Sequence, residues 1–575
     1  MAIWALRFFM VAYAVFQAYA YRHRIFLDDS VQYIDIARAV LSGHWTELIN
    51  SMWSPLYPLL IAIMYAICKP SPLHEILAVN LLNVAILIFK YWCFELLLRA
   101  LERWRLAKQA EAGQDRQSIP FATFRVCAII IFAMLSFQFG GVYQTTPDYL
   151  MHALGFLTLS WLFDHAVMER NNERFTRGAM RAVGIGLLLG LGFLSKAVFI
   201  SVVPVALLAM LIYSRGKKLQ KAGLTALAFA IIYAPAVGLL SAKLGYFTTG
   251  EAGRINYVEW ITCVYDDHHP VGTELIHPQR RLADKPVVWE FATKSGETYP
   301  PYYERMNWLA GFKCQVDPAV SLQLLFKNTI ACLWYFGAGM VLSVVLCMLL
   351  LRRIPFTISS LRANWLLYAY FFAMISVYMV AANLSYIMQG RYTESAVMAL
   401  FLALMASLRA PADVSIRKVK ACAAIIVMPI TLAFTKQLHI DLSALHFFDR
   451  PIDYEICRDL QALGIKAGDR VAQLGYKPES EFFEGGGFKI ISTSGYWWAH
   501  LAGVQIVIDI PDVKQYRLLD AEQRQVLLSS LADKKVRCVI MYRNFAPDAH
   551  DQDWVRLPLS GCYAYMVPAP ARLHP

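Results

Sequence analysis

Apolar runs approaching the length of a bilayer recur from Met1 to about residue 440, and any backbone crossing hydrocarbon must satisfy its own N–H and C=O groups. Each run is therefore expected to be a helix. They fall at 1–21, 74–98, 123–140, 149–167, 181–195, 197–213, 222–242, 326–351, 365–387, 395–408 and 421–440. That makes about eleven spans, some of them short against the ~20 residues a crossing needs. Hydrophobic residues make up 58% of the chain, above the roughly half-apolar composition of soluble domains. The fold class is an α-helical polytopic membrane protein. Met1–Tyr21 lacks a small-residue cleavage site and carries Arg7, so it reads as a retained first span that starts in the cytoplasm.

A formal net charge of +12 would suit a polynucleotide partner, but the basic residues sit in short loops between apolar runs, as cytoplasmic loops do. These loops hold Arg103/Arg105/Lys108, Arg174/Arg177/Arg181, Arg215/Lys217/Lys218, Arg352/Arg353 and Arg417/Lys418/Lys420. With eleven spans they all share one side, and no nucleic acid is implied. The opposite side then receives residues 22–54, Thr146-Pro147-Asp148, Lys196, the loop 243–325, the Gly390-Arg391-Tyr392 turn and everything after 440. This places the chain in the plasma (inner) membrane with its C-terminal domain outside the cytoplasm. Leu56–Ile67, following Trp53-Ser54-Pro55, is too short for an ordinary span and is read as non-crossing or re-entrant. The 11 cysteines show no CxxC pair or metal-finger spacing, though Cys263 and Cys314 share a loop and can pair in an oxidising compartment.

Polar residues on that far side are candidates for chemistry. In Ile25–Tyr33 two adjacent carboxylates, Asp28 and Asp29, stand where a helix begins. From Ser30 to Leu41 the residues Val31, Tyr33, Ile34, Ala37, Val40 and Leu41 share one arc, while Gln32, Asp35, Arg38 and Ser42 share the other, the pattern of a helix lying on the bilayer surface. Free first-turn amides favour ionised carboxylates, which act either as caps or as bases. Asp148 follows a proline at the tip between two spans, where it is a cap or faces a polar cavity. Lys196, in Gly192-Phe193-Leu194-Ser195-Lys196, either snorkels or pairs with an anion. Arg391 suits two-pronged binding of phosphate, the bland alternative being an ion pair with Glu394.

The long loop carries Asp266-Asp267-His268-His269, then His277 and Arg280-Arg281. Adjacent residues cannot all point at one ion, so a solvated turn competes with a metal site. A divalent cation is left open as a cofactor, with Asp148, Asp267, His268 and His269 as its candidates. Trp289, Trp308 and Tyr299-Pro300-Pro301-Tyr302-Tyr303 suit the membrane surface or a sugar ring. From Asp441 to residue 575, a helix at 452–463, strand-like runs at 471–474, 489–492, 504–510, 536–542 and 563–567 and a helix at 521–532 predict a small α/β domain. Gly485-Gly486-Gly487 lacks the spacing of a dinucleotide loop and reads as a turn.

Taken in order, Leu27-Asp28-Asp29 with Tyr33, Trp53-Ser54-Pro55-Leu56-Tyr57-Pro58, Thr146-Pro147-Asp148, Gly192–Lys196 and Gly390-Arg391-Tyr392 make residues 1–440 resemble the GT-C fold glycosyltransferases. The similarity is to the protein O-mannosyltransferase and aminoarabinose transferase-like group, of glycosyltransferase family 39 type. It implies transfer of a sugar from a polyprenyl-phosphate donor to an extracytoplasmic glycan, lipid or protein acceptor, with inversion. Asp28 maps onto the general base, Asp29 onto the second acid, and Asp148 onto the second-loop carboxylate. Tyr33, Lys196, Arg391 and Tyr392 map onto substrate binding, with Lys196 and Arg391 neutralising the leaving phosphate. Where some members carry an acid and a base before the proline-rich run, this chain has Trp53 and Ser54. A transporter or flippase, or a non-catalytic scaffold, are the competing classes, and no internal repeat of the kind transporters show is present.

Overall fold

The computed structural model describes residues 2–568 apart from 26–27, 113–115, 172–174, 258–278, 292–297, 299–316, 333–337, 353–355, 382–389, 412, 448–451, 476–495, 546, 549–550 and 552. Nine helices open the chain: α1 Ala2–Ala20, α2 Asp28–Leu41, α3 Leu56–Cys68, α4 Glu75–Ala112, α5 Phe121–Leu135, α6 Asp148–Arg170, α7 Phe175–Ser195, α8 Val202–Tyr213 and α9 Lys218–Leu244. Later helices cover Pro318–Cys332, Ala338–Leu351, Trp365–Ala381, Glu394–Ser407 and Ile416–Phe447. Among the described residues six helices are long and apolar enough to cross a membrane, and five shorter apolar ones accompany them. The protein is a multi-pass helical membrane protein.

Helices cover the expected apolar runs with altered ends, and six of them reach spanning length among the described residues. All but the first residue of the run at 74–98 lies within α4, whose 38 residues extend beyond the apolar part through Arg99, Arg103 and Arg105. The run at 326–351 is covered by two helices, Pro318–Cys332 and Ala338–Leu351. The region Leu56–Ile67 forms the 13-residue α3, held from its first turns by buried Tyr57, Pro58 and Ile61. Aromatic rings fill the space between α4, α5 and α6, with Phe94 4.8 Å from Phe132 and 5.3 Å from Phe156. At one end Arg103 and Arg181 both reach Asp164, Arg215 bonds to the Glu169 carboxylate, and the short strands β1 (Arg116–Ser118) and β4 (Arg409–Pro411) pair. Several basic loops expected to share a side therefore do meet.

The second structural layer is a seven-stranded sheet in the order β2-β3-β6-β5-β7-β9-β8. Its centre is parallel, β6 (Gln505–Ile510) beside β5 (Arg470–Leu474) beside β7 (Val536–Met541). Nearly every central-strand residue is buried, as expected of parallel strands covered on both faces. β9 (Tyr563–Met566) and β8 (Val555–Arg556) complete one edge. The other edge comes from the long loop: β2 (Gln279–Asp284) and β3 (Val287–Phe291) form a hairpin, and Trp289 and Glu290 pair with Asp509 and Ile508. The loop is thus structurally part of the C-terminal sheet. The helix Ile416–Phe447 runs straight through Asp441, where the fall in hydropathy suggests a soluble unit begins. Asp441 is buried there and accepts bonds from Tyr13, Tyr21 and Gln437 at 2.6, 2.9 and 2.8 Å. The glycine run 485–487 and the strand expected at 489–492 lie outside the described residues.

Candidate active site

Three chain breaks deliver the charged groups. Pro147, which has no N–H to give, stands immediately before α6, so Asp148 occupies the first helical position, where free amides favour an anion. α7 stops at Ser195 and Lys196 adopts an extended backbone (φ −159°, ψ 126°) before the next helical turn, taking its side chain out of the helical stack. Gly192 permits this: a Cβ there would lie 2.1 Å from the Phe199 ring, which folds back across it. The Gly390–Tyr392 turn is fixed in the same way, since a Cβ on Gly390 would lie 2.1 Å from the Phe139 ring.

These breaks bring Lys196 into an ion pair with the Asp148 carboxylate. Both cations lie over the Tyr392 ring, the Lys196 ammonium at 4.2 Å and the Arg391 guanidinium at 4.6 Å. Arg391 gives one N–H to the Tyr392 hydroxyl at 2.6 Å, and Tyr378 stacks on the same ring at 5.3 Å. Arg391 is only 5% exposed, yet its Nε and Nη1 are buried without a hydrogen-bond partner among the described residues, and so is Asp148 Oδ2. Buried polar atoms are almost always satisfied, so free donors beside a free acceptor mark a place for a ligand or ordered water. A narrow crevice lined by Thr146, Asp148, Tyr149 and Arg391 opens at this point.

Asp29 belongs to the same field. Burial lowers the Lys196 pKa, with Asp148 and Asp29 opposing it. Burial also opposes charge on Arg391, but Tyr392, Asp148 and Asp29 outweigh it and raise its pKa, so the guanidinium stays charged. The Tyr392 hydroxyl is pushed up to about 12, chiefly by burial. Asp28 is the first residue of α2, and its side chain lies outside the described residues. Tyr33, one turn after Asp29, is buried with its ring edge-on to Trp53 at 5.1 Å and Tyr57 at 5.4 Å. Tyr57 donates to Asn83 at 2.8 Å, whose amide holds the carbonyls of Val142 and Gln144 at 2.9 Å. The proline-rich run thus ties α2 to the loop that presents Asp148.

The ion pair between Arg391 and Glu394 is not found. Glu394 is taken by Lys90 at 2.6 Å and Ser136 at 2.8 Å, all three buried. His152 is a functional candidate that sequence patterning misses. Its ring donates from Nε2 to the Arg391 carbonyl at 2.7 Å, while Nδ1 meets the Ser395 hydroxyl at 2.7 Å. One imidazole therefore fixes the turn carrying Arg391 from a helix that also carries Asp148. On α6 it looks like any histidine in an apolar helix. The only available signal is its place four residues after Asp148, one turn along the same face.

Asp267, His268 and His269, with Asp266, His277, Cys263, Cys314, Trp308 and 299–303, lie outside the described residues. Among the described residues no group of three or more His, Cys, Asp or Glu converges as metal ligands. Asp148 stands beside two fixed cations, so the described part of this site does not fit a divalent ion.

No protein-family model matches the sequence, and no curated protein matches it either. Solved structures do give matches. ArnT from Cupriavidus metallidurans bound to undecaprenyl phosphate is 13% identical, covers 96% of both chains and superposes with a TM-score of 0.44. The oligosaccharyltransferase AglB from Archaeoglobus fulgidus, in complex with an inhibitory peptide and a dolichol-phosphate, is 12% identical over 93% of this chain and 69% of its own, with a TM-score of 0.43. Both likenesses are distant.

Proposed function

We propose that the protein is an integral-membrane glycosyltransferase that moves a sugar from a polyprenyl-phosphate donor to an extracytoplasmic acceptor, with inversion at the anomeric carbon. The observation that carries this is the buried Arg391 guanidinium with its unpartnered Nε and Nη1, set beside Lys196 at a crevice that also holds Asp148. Two fixed cations, one of them planar and two-pronged, suit the phosphate that leaves when the sugar is transferred. In this mechanism Asp28 takes the proton from the acceptor hydroxyl. The acceptor oxygen then bonds to the anomeric carbon as the bond from that carbon to the phosphate oxygen breaks. The electron pair stays on the phosphate, where Arg391 and Lys196 stabilise it. Asp29 orients the base and acceptor, Asp148 holds Lys196, and Tyr33 and Tyr392 line the path of the substrate. The acceptor is an envelope glycan, a lipid or a protein hydroxyl, and the membrane is the inner (plasma) membrane, with residues 441–575 and the loop 243–325 outside the cytoplasm.

The test is mass spectrometry of lipid retained by the detergent-purified protein. A polyprenyl phosphate or its glycosylated form should co-purify with the parent and be lost from Arg391→Ala protein of equal abundance. Equal retention by the two proteins, or retention of no such lipid after supplying it in excess, overturns the proposal. This measurement also separates a transferase from a scaffold, which has no use for a buried phosphate-binding guanidinium.

A further inference from the structure

A second cavity, of about 680 Å³, lies on the other side of α2, between that helix, the end of α3, the start of α4 and the C-terminal sheet. Its inner wall is a closed network. The Asp35 carboxylate accepts from the Thr298 backbone N–H and hydroxyl, both at 3.2 Å, and meets His500 Nδ1 at 2.7 Å. His500 Nε2 meets Glu75 at 2.9 Å, and Arg38 pairs with the other Glu75 oxygen. Asp35, Glu75, Thr298 and His500 are all buried. Both carboxylates are therefore engaged, and because they hold opposite edges of one imidazole they do not converge on a point where a cation could sit.

What the network leaves for a ligand is positive. Arg38 uses one of its five N–H donors on Glu75, and its side chain, 38% exposed, faces the cavity. His44 and Lys69 also line it, both exposed, and among the described residues neither side chain has a hydrogen-bond or ion-pair partner. Lys69 is held there by a left-handed backbone (φ 45°) that ends α3. Leu41, the last residue of α2, is an exposed apolar side chain in the cavity lining, and Trp45, Ile67 and Leu73, near the lining residues along the chain, are exposed apolar side chains as well. A cavity of ligand size whose carboxylates are engaged, whose unclaimed donors are on Arg38, His44 and Lys69, and whose lining includes exposed Leu41 matches a lipid whose headgroup is anionic and whose chains stay in the bilayer.

We propose that this cavity is a binding site for a phosphate-monoester headgroup, with Arg38, Lys69 and His44 as the groups that hold the phosphate. The site is distinct from the one at Arg391 and holds whether or not that site transfers sugar. The full chain in neutral detergent is offered dioleoyl phosphatidic acid, or diacylglycerol of the same chains, and bound lipids are counted by native mass spectrometry. The comparison is between the parent, the double variant His44→Ala/Lys69→Asn and the control Lys420→Asn, an exposed lysine elsewhere. Asparagine tolerates the left-handed backbone at position 69, so the fold is preserved. The expected result is loss of one bound phosphatidic acid in the double variant and none in the control, with diacylglycerol not retained by any of them. Competition by soluble glycerol phosphate shows that the phosphate group suffices, whereas its failure to compete shows that the lipid chains are needed. An unchanged count in the double variant, or equal retention of diacylglycerol, overturns the proposal.

Discussion

Replacing Arg391 by lysine keeps the charge and removes the shape. In the parent one Nη2 N–H of the guanidinium is fixed on the Tyr392 hydroxyl at 2.6 Å, which leaves Nε and Nη1 without a partner on different edges of one rigid plane. A lysine ammonium on the same stem can satisfy Tyr392 or a phosphate oxygen, but it cannot hold further donors fixed in one plane while doing so. Charge-assisted hydrogen bonds contribute ~1.5–3 kcal/mol each, so losing one prong predicts a fall of roughly 10- to 100-fold in kcat/KM for the lipid-linked donor. The loss should appear at limiting donor, and membrane abundance of the variant should match the parent. The assay is sugar transfer in detergent or proteoliposomes with donor varied below saturation. If Arg391→Lys turned over at the parental rate there, the two-pronged phosphate role would be wrong, and the orphaned donors would need water as their explanation.

Asp28→Asn separates base from cap, because asparagine caps about as well as aspartate but takes no proton. A fall of ~10²- to 10⁴-fold in transfer at normal abundance is expected, with a smaller fall for Asp29→Asn; a normal rate in Asp28→Asn removes Asp28 from the chemistry. His152→Ala should raise KM for the donor more than it lowers kcat, since it frees the turn that aims Arg391. His152→Gln, which keeps a donor for the Arg391 carbonyl, should recover much of the loss, and equal damage in the two variants would reduce His152 to packing. A periplasmic reporter fused after Ala444 should be active, and activity of a cytoplasmic reporter there would reverse the assignment of sides.

The helical part of the fold is legible in the sequence because hydrocarbon leaves the backbone few choices, so apolar runs and basic loops carry most of the information. Lys196, Asp148 and Arg391 could be singled out because each stands beside a break, a proline or a glycine, in otherwise apolar surroundings. Their meeting could not be read, because it depends on how helices far apart in the chain pack. The partner of Glu394 shows the limit: Arg391 is its neighbour in sequence, but Lys90, on a helix some three hundred residues earlier, takes the carboxylate. Periodicity puts Asp35 on the polar arc of α2, opposite the apolar one, yet it is buried beneath Thr298 and His500. Periodicity within one helix reports its own faces, and a second layer arriving from elsewhere in the chain leaves no mark on it.

The pairing of Trp289 with Asp509 bears on the order in which this protein can be made. During synthesis the β2–β3 hairpin leaves the ribosome before the last five apolar helices, and its partner β6 follows only after them. Until then one edge of the hairpin has unmatched N–H and C=O groups, a template for pairing with the wrong strand. Closing the sheet therefore ties an early loop to the last part of the chain across the intervening membrane helices, a long-range contact that is slow to form. A chain stopped near residue 440 would keep its apolar helices but leave that edge unmet.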